Sequence, residues 1–407
     1  MLINDESLVN NFVIQSYRIT IYNISLPLAH GSFMWHSITV KILMVTNGYP
    51  DYPGSYRGIF IKKLCLALKK EGLDIVVLCP RVFKRSPFFE LDEGIPVHRF
   101  WYPSGEKPLG QSGRVPKFRM VAYMISGFFA ALKLIIREKP DIIHGNWIVP
   151  TGLIAAISGK LTGKPVINSV RGMDYRIAEN RLIKPLFKLA ALLSDRITVV
   201  SENMKSNRAL ACAEIVSSGV DDRFFEVTSS SDSKTIISTR SLEPIYDVET
   251  LIRAIPLVLA RESEAKFIII GEGSLSDQLQ NLAAELGVSE RITFTGQIDN
   301  SEIPKYMEKA KVYVSTSLAD GTSVSLLEAL AAGLVPAVTD IEANRPFVNE
   351  KGLFKKGDFN ELSCAILTAL NDTSTLDSEE KINKNVSWPA IAQKYLHLYN
   401  QLADKTL

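Results

Sequence analysis

The chain has 407 residues, 46% of them hydrophobic and 22% charged, a globular composition with enough length for more than one core, which excludes a disordered or fibrous protein. Its four cysteines, Cys65, Cys79, Cys212 and Cys364, form no Cys-x-x-Cys pair, so a zinc or disulfide framework is not expected and a reducing cytoplasm is the default compartment. The formal net charge of +2 conceals an asymmetry, with 28 Lys and Arg against 17 Asp and Glu over residues 41–228 and 17 against 25 over residues 229–407.

Residues 1–40 show no convincing element and no signal peptide, and Met34 stands just before the first strong strand; they read as an extension that packs poorly. From Lys41 onward strands and helices alternate. Strands are predicted at 41–46, 74–79, 97–100, 141–144, 165–170 and 196–200, and helices at 58–70, 121–137, 150–162 and 182–193. The run 120–132 is uncharged and apolar, but Lys133 interrupts it below the length of a membrane span. With Lys117, Arg119, Lys133, Arg137 and Lys139 on its flanks it reads as a helix buried on a sheet or lying in a membrane interface. The basic front half suits an anionic membrane or a diphosphate-bearing lipid acceptor, with a solvated basic face as the alternative; no nucleic-acid motif accompanies it. After the polar linker at 229–233, a second series runs strand 235–239, helix 248–260, strand 266–270, helix 274–286, strand 291–295 and helix 300–310, and a helix at 388–402 closes the chain. Such alternation predicts an α/β fold of two Rossmann-like, doubly wound domains (41–228 and 235–385), with ligands beyond the carboxyl ends of the strands and residues 386–407 as a closing helix.

The most informative segment is Asp320-Gly-Thr-Ser-Val-Ser-Leu-Leu-Glu328, set between a β-branched strand at 311–317 and a helix ended by Gly333. Thr322 and Ser323 are good N-cap residues, so free backbone N–H groups there, with Gly321, can receive a phosphate. Glu328 stands among Val324, Leu326, Leu327, Ala329 and Leu330, and a carboxylate buried on such a helix must be paired or hydrogen-bonded, either to a ligand or to a neighbouring loop.

An acid-x7-Glu spacing after a strand, followed by small residues, a glycine and a proline-containing strand, resembles the donor-site signature of glycosyltransferase family 4, which has the GT-B fold of two facing Rossmann-like domains. The resemblance covers residues 41–402, with Asp320 where the family has glutamate. It implies a retaining, metal-independent transfer of a sugar from a nucleotide-sugar to a glycan or lipid-linked acceptor, with no cofactor. The expected setting is bacterial surface or exported polysaccharide synthesis, in the cytoplasm or at the inner face of its membrane. By that resemblance Glu328 would hold the ribose, Asp320 the donor sugar and Arg240 the diphosphate. Six residues after Arg240 the family has a lysine, and this chain has Tyr246, which can donate a hydrogen bond but no charge. Gly271-Glu272-Gly273 resembles the glycine turn beside the nucleotide, although a plain turn reads equally well. Gly54, Ser55 and Arg57 belong to a segment resembling the family's glycine loop. Arg171-Gly172-Met173-Asp174 stands where the family shows His-Gly-x-Asp; an arginine can hold an anion, so either the donor or the acceptor is negatively charged or this loop has another task. His144 ends a strand nearby and would either substitute for that histidine or support the loop. A non-catalytic nucleotide-sugar-binding scaffold and a GT-B nucleotide-sugar epimerase are the alternatives.

Overall fold

Ile42, Leu43, Met44 and Val45 are all fully buried, as a strand covered on both faces requires, and the first domain is built outward from them. The computed structural model describes residues 40–55, 57–109, 116–172, 174–175, 180–181, 183–229, 232–372 and 384–403; the expectation about residues 1–40 lies outside them, apart from Val40. The first sheet contains β1 (Lys41–Thr46), β2 (Asp74–Pro80), β3 (Phe89–Asp92), β4 (Ile95–Phe100), β5 (Ile142–Asn146), β6 (Val166–Val170), β7 (Arg196–Val199) and β8 (Glu214–Ile215), in the order β3-β4-β2-β1-β5-β6-β7-β8. All neighbours are parallel except β3 and β4. That antiparallel hairpin was not expected from the sequence, where only 97–100 reads as a strand. Its turn is the pair Glu93-Gly94, both at positive φ, which matches a tight two-residue hairpin.

Helices α1 (Ile59–Lys70), α2 (Lys117–Glu138), α3 (Leu153–Thr162) and α4 (Lys184–Leu193) connect these strands. The alternation of β1 divides them: Ile42 and Met44 pack with α1, while Leu43 and Val45 pack with α2 and α3. Helix α2 is 22 residues, long and apolar enough by length and composition to cross a membrane, and longer than the apolar run suggests. Tyr123, Gly127, Ala131, Leu134 and Ile135 nevertheless bury one face of it on the sheet.

The second sheet holds β9 (Thr235–Ser238), β10 (Lys266–Ile270), β11 (Ile292–Gly296), β12 (Val312–Ser315), β13 (Val335–Thr339) and β14 (Leu353–Phe354), in the order β11-β10-β9-β12-β13-β14 and parallel throughout. Its helices are α5 (Asp222–Phe225), α6 (Val248–Leu259), α7 (Ser276–Glu285), α8 (Ile303–Met307), α9 (Val324–Ala331) and α10 (Phe359–Asn371). Helix α8 is shorter than the sequence suggests, because Pro304 lies in its first turn and residues 300–302 stay outside it.

The last helix, α11 (Trp388–Ala403), packs on the first domain, with Ile391, Tyr395, Leu398, Tyr399 and Leu402 in one core with Ile42, Met44 and α1. The chain therefore crosses between the sheets twice, and the crossings lie side by side: Val220 pairs with Ser387, and the Trp388 amide donates to the Val220 carbonyl at 3.2 Å.

Candidate active site

Arg240 follows the carboxyl end of β9, the central strand of its sheet, and its guanidinium reaches the turn after β12. It donates from Nε to Ser317 Oγ at 3.1 Å and from Nη1 to Ser325 Oγ at 2.6 Å and Ser323 Oγ at 3.3 Å, and it pairs with the Asp320 carboxylate. The Tyr246 ring lies 4.5 Å from the guanidinium, a stacked cation–π contact. Tyr246 thus meets Arg240 through its ring face, where the sequence reading stressed its hydroxyl. Asp320 also accepts the Gly321 amide at 2.9 Å. Its carboxylate, expected to hold the donor sugar, is engaged with Arg240 in this structure.

Ser323 occupies the N-cap position of α9 but makes no side-chain cap bond. Its hydroxyl is drawn instead to Arg240, and the Thr322 hydroxyl donates to the Val200 carbonyl of the first domain at 3.1 Å. The guanidinium therefore lies against the N-terminal turn of α9, where a cation and a helix N-terminus together suit an anion.

One turn on, Glu328 is buried, with 8% of its surface exposed. Burial pushes its carboxyl up to about 7, against the pull of Lys63, a hydrogen bond with Asn300 and Arg223. These neighbours come from three elements. Lys63 of α1 reaches Asp221 at 3.2 Å and Asn300 Oδ1 at 3.3 Å, and Arg223 bonds Asp221 and Asn300, each at 3.0 Å. Gly54 and Ser55 line a cavity of about 370 Å³ together with Tyr52, Lys63, Arg223 and Asn300. Gly271, Glu272 and Gly273 line a second cavity, of about 530 Å³, with Leu242, Gln280 and Phe294. Gly271 has φ +145, and a Cβ there would come within 2.3 Å of the Arg240 carbonyl, so the turn fits directly under the strand end that carries the arginine.

Three expected residues are not presented to the cleft. His144 is fully buried, its Nδ1 2.6 Å from Tyr399 Oη and its Nε2 2.8 Å from Ser169 Oγ. Burial and the Arg171 charge hold it neutral, with a pKa well below the usual histidine range, so it ties the sheet to α11 and does not replace a sugar-binding histidine. Asp174 is also buried, and its carboxylate accepts the amides of Ile148, Arg171, Gly172 and Tyr175 at 2.8 to 3.2 Å; it shapes the loop and is not free for a sugar. Arg57 is clamped to Asp51 at 2.6 and 2.8 Å and to the Asn47 carbonyl.

Conversely, Lys63, Asp221, Arg223 and Asn300 were missed, because no local pattern ties residues so far apart in sequence. Ser325 was also missed, although a serine inside an otherwise apolar helix was a usable signal; Tyr313 donates to it at 2.9 Å and fixes it under Arg240.

Two family models divide the chain. Residues 58–222 match Glycosyltransferase Family 4 and residues 220–387 match Glycosyl transferases group 1. The chain belongs to glycosyltransferase family 4. An uncharacterized glycosyltransferase of Methanocaldococcus jannaschii is 23% identical over 397 residues, covering 88% of this chain and 98% of its own. A GDP-mannose-dependent phosphatidylinositol monomannoside mannosyltransferase of Mycobacterium tuberculosis is 24% identical, covering 78% and 85%. Among solved structures, Anabaena HepE in complex with UDP superposes with a TM-score of 0.66 at 18% identity, covering 89% of this chain and all of that one. The transferase thus has the GT-B fold and the activity class of its family, with nucleotide-sugar donors.

Proposed function

We propose that this transferase moves a sugar, with retention of anomeric configuration and without a metal, from its nucleotide-sugar donor to a glycan or lipid-linked acceptor in bacterial surface or exported polysaccharide synthesis. The observation that carries the reading is Arg240 on the first turn of α9 with buried Glu328 one turn on, surrounded by Lys63, Arg223 and Asn300 of the first cavity. In this reading the base lies by Gly271–Gly273, Glu328 accepts the ribose hydroxyls, and Arg240 with the α9 amides takes the diphosphate charge. The bond from the anomeric carbon to the phosphate oxygen breaks. The acceptor oxygen then bonds the same face of that carbon, and its proton goes to the departing phosphate.

The reading includes peripheral contact with an anionic membrane from the cytoplasmic side. Phe118, Val121, Ile125, Phe129 and Ile136 of α2 are 54 to 72% exposed and recur every three, four or seven residues, so they form one outward stripe. Lys117, Lys133, Arg137 and Lys139 flank it. A basic-edged apolar stripe fits a negatively charged lipid surface.

Nucleotide release from a panel of nucleotide-sugars, with and without acceptor extract, tests the transfer. Acceptor-dependent release that collapses in Glu328→Gln is expected. Binding without turnover on any extract favours a scaffold, and interconversion of the donor sugar favours an epimerase.

A further inference from the structure

Several arginines of the described residues are paired with carboxylates. Arg57 pairs with Asp51 at 2.6 Å, Arg99 with Glu90 at 2.5 Å, Arg223 with Asp221 at 3.0 Å, and Arg240 with Asp320. Arg171, at the end of β6 and partly buried, has no ion pair among the described residues. Its Nε and Nη2 both donate to Asn146 Oδ1, at 3.2 and 2.7 Å, and Nη2 lies 3.5 Å from Tyr395 Oη. The Phe60 ring centroid is 5.6 Å from the guanidinium carbon. Every one of these partners is neutral. Among the described titratable groups that its charge acts on, His144 is held neutral, and burial keeps the Cys65 and Tyr399 protons on, with pKa values pushed up. Asp174, the carboxylate of the same loop, faces backbone amides.

The loop that carries this charge is held at the junction by contact. The Arg240 carbonyl touches the Gly271 turn, its guanidinium holds Asp320, and the next residue, Gly321, abuts Gly172: a Cβ on either glycine would come within 3.1 Å of the other's Cα. The Arg171 loop therefore meets the Arg240–Asp320 unit across the domain junction. A partly desolvated cation held only by neutral groups is costly, and a carboxylate ligand would offset that cost with charge-assisted hydrogen bonds.

We propose that Arg171 selects a carboxylated sugar, a uronate on the transferred sugar or on the terminal sugar of the acceptor. This rests on the transfer reading above, and one experiment separates the two. Wild-type, Arg171→Gln and Arg171→Lys chains are first compared by thermal unfolding to confirm that they fold. In the donor arm, affinities are measured for UDP, for UDP-glucuronate and UDP-galacturonate against UDP-glucose and UDP-galactose, and for GDP-mannuronate against GDP-mannose. In the acceptor arm, with the tightest-binding nucleotide present, p-nitrophenyl glucuronide is compared with p-nitrophenyl glucoside. A preference for the uronate of about tenfold or more in one arm is expected. It should vanish in Arg171→Gln, survive in part in Arg171→Lys, and leave affinity for the bare nucleotide unchanged; the arm that shows it names the source. Equal or better binding of the neutral sugars in both arms overturns the inference while the transfer reading stands. Loss of UDP affinity in Arg171→Gln equal to the loss for the uronate overturns it too, making Arg171 a diphosphate partner. Failure of every nucleotide-sugar to bind removes both.

Discussion

Glu328 is the residue at which burial and charge compete most directly. An ordinary glutamate pKa of 4.5 becomes about 7 here, chiefly through burial, with Lys63, Asn300 and Arg223 pulling it down and Asp221 pushing it up. Folding therefore favours the protonated form. The stability this group contributes is fully present below about 4.5 and is lost as pH rises through about 7. Ribose hydroxyls donate to a carboxylate, so donor binding would favour the opposite, ionised form. Affinity for the nucleotide should then rise with pH up to about 7, level off above it, and release a proton when measured below it. Calorimetry in buffers of different ionisation heat reads that proton directly. Wild-type binding with no proton release and no pH slope would sink the ribose assignment, and Glu328→Gln should show neither at any pH. The choice of this residue was legible in the sequence, since a lone acid on an apolar helix demands a partner. The identity of that partner was not: Asn300 lies in a loop before α8 and Lys63 in another domain, and nothing in their surroundings marks them.

At the scale of elements, α2 poses the sharpest test, because its two faces obey different rules. The inward face is ordinary core, whereas the outward stripe leaves five large apolar side chains in water. Burying such a side chain fully stabilises by about 1.5–3 kcal/mol, while a basic residue at an anionic surface contributes about 1 kcal/mol. The apolar stripe should thus dominate. Replacing Phe118, Ile125 and Phe129 by serine is expected to release the chain from phosphatidylglycerol vesicles at low salt, while leaving its melting temperature within a few degrees and nucleotide affinity unchanged. Co-sedimentation of that variant as strong as wild type would show that the stripe is not the docking face. The existence of α2 could be read from its apolar run; its 22-residue length, and which side faces out, could not, since both sides are apolar. Elements were legible where one face was polar or a strand was uniformly β-branched. Hairpin β3–β4 was hidden because β3 is short and its burial pattern lacks a buried face, leaving only Glu93-Gly94 as a signal.

For the whole molecule, the two chain crossings at Val220 and Ser387 lie side by side, and charged groups near that junction come together from both domains. Asp221 and Arg223 directly follow the first crossing, Lys63 comes from α1 and Asn300 from the second domain, and together they surround Glu328. The ionisation of a carboxylate in the second domain is thereby coupled to a lysine of the first. In Lys63→Met the cation that most lowers the Glu328 pKa is gone, while Asp221 keeps Arg223 as its ion-pair partner, so the fold should survive. The carboxyl should then hold its proton to higher pH. Nucleotide affinity is expected to drop several-fold at neutral pH and to recover toward the wild-type value as pH is raised by about one unit, since one pKa unit is one tenfold step in ionisation. The same pH series that tests Glu328 decides the matter. If Lys63→Met weakens binding by one constant factor at every pH, Lys63 acts on the ligand itself. If the midpoint moves upward, the first domain acts on nucleotide binding through the proton on Glu328, and the charge state of that carboxylate is set jointly by groups of both domains.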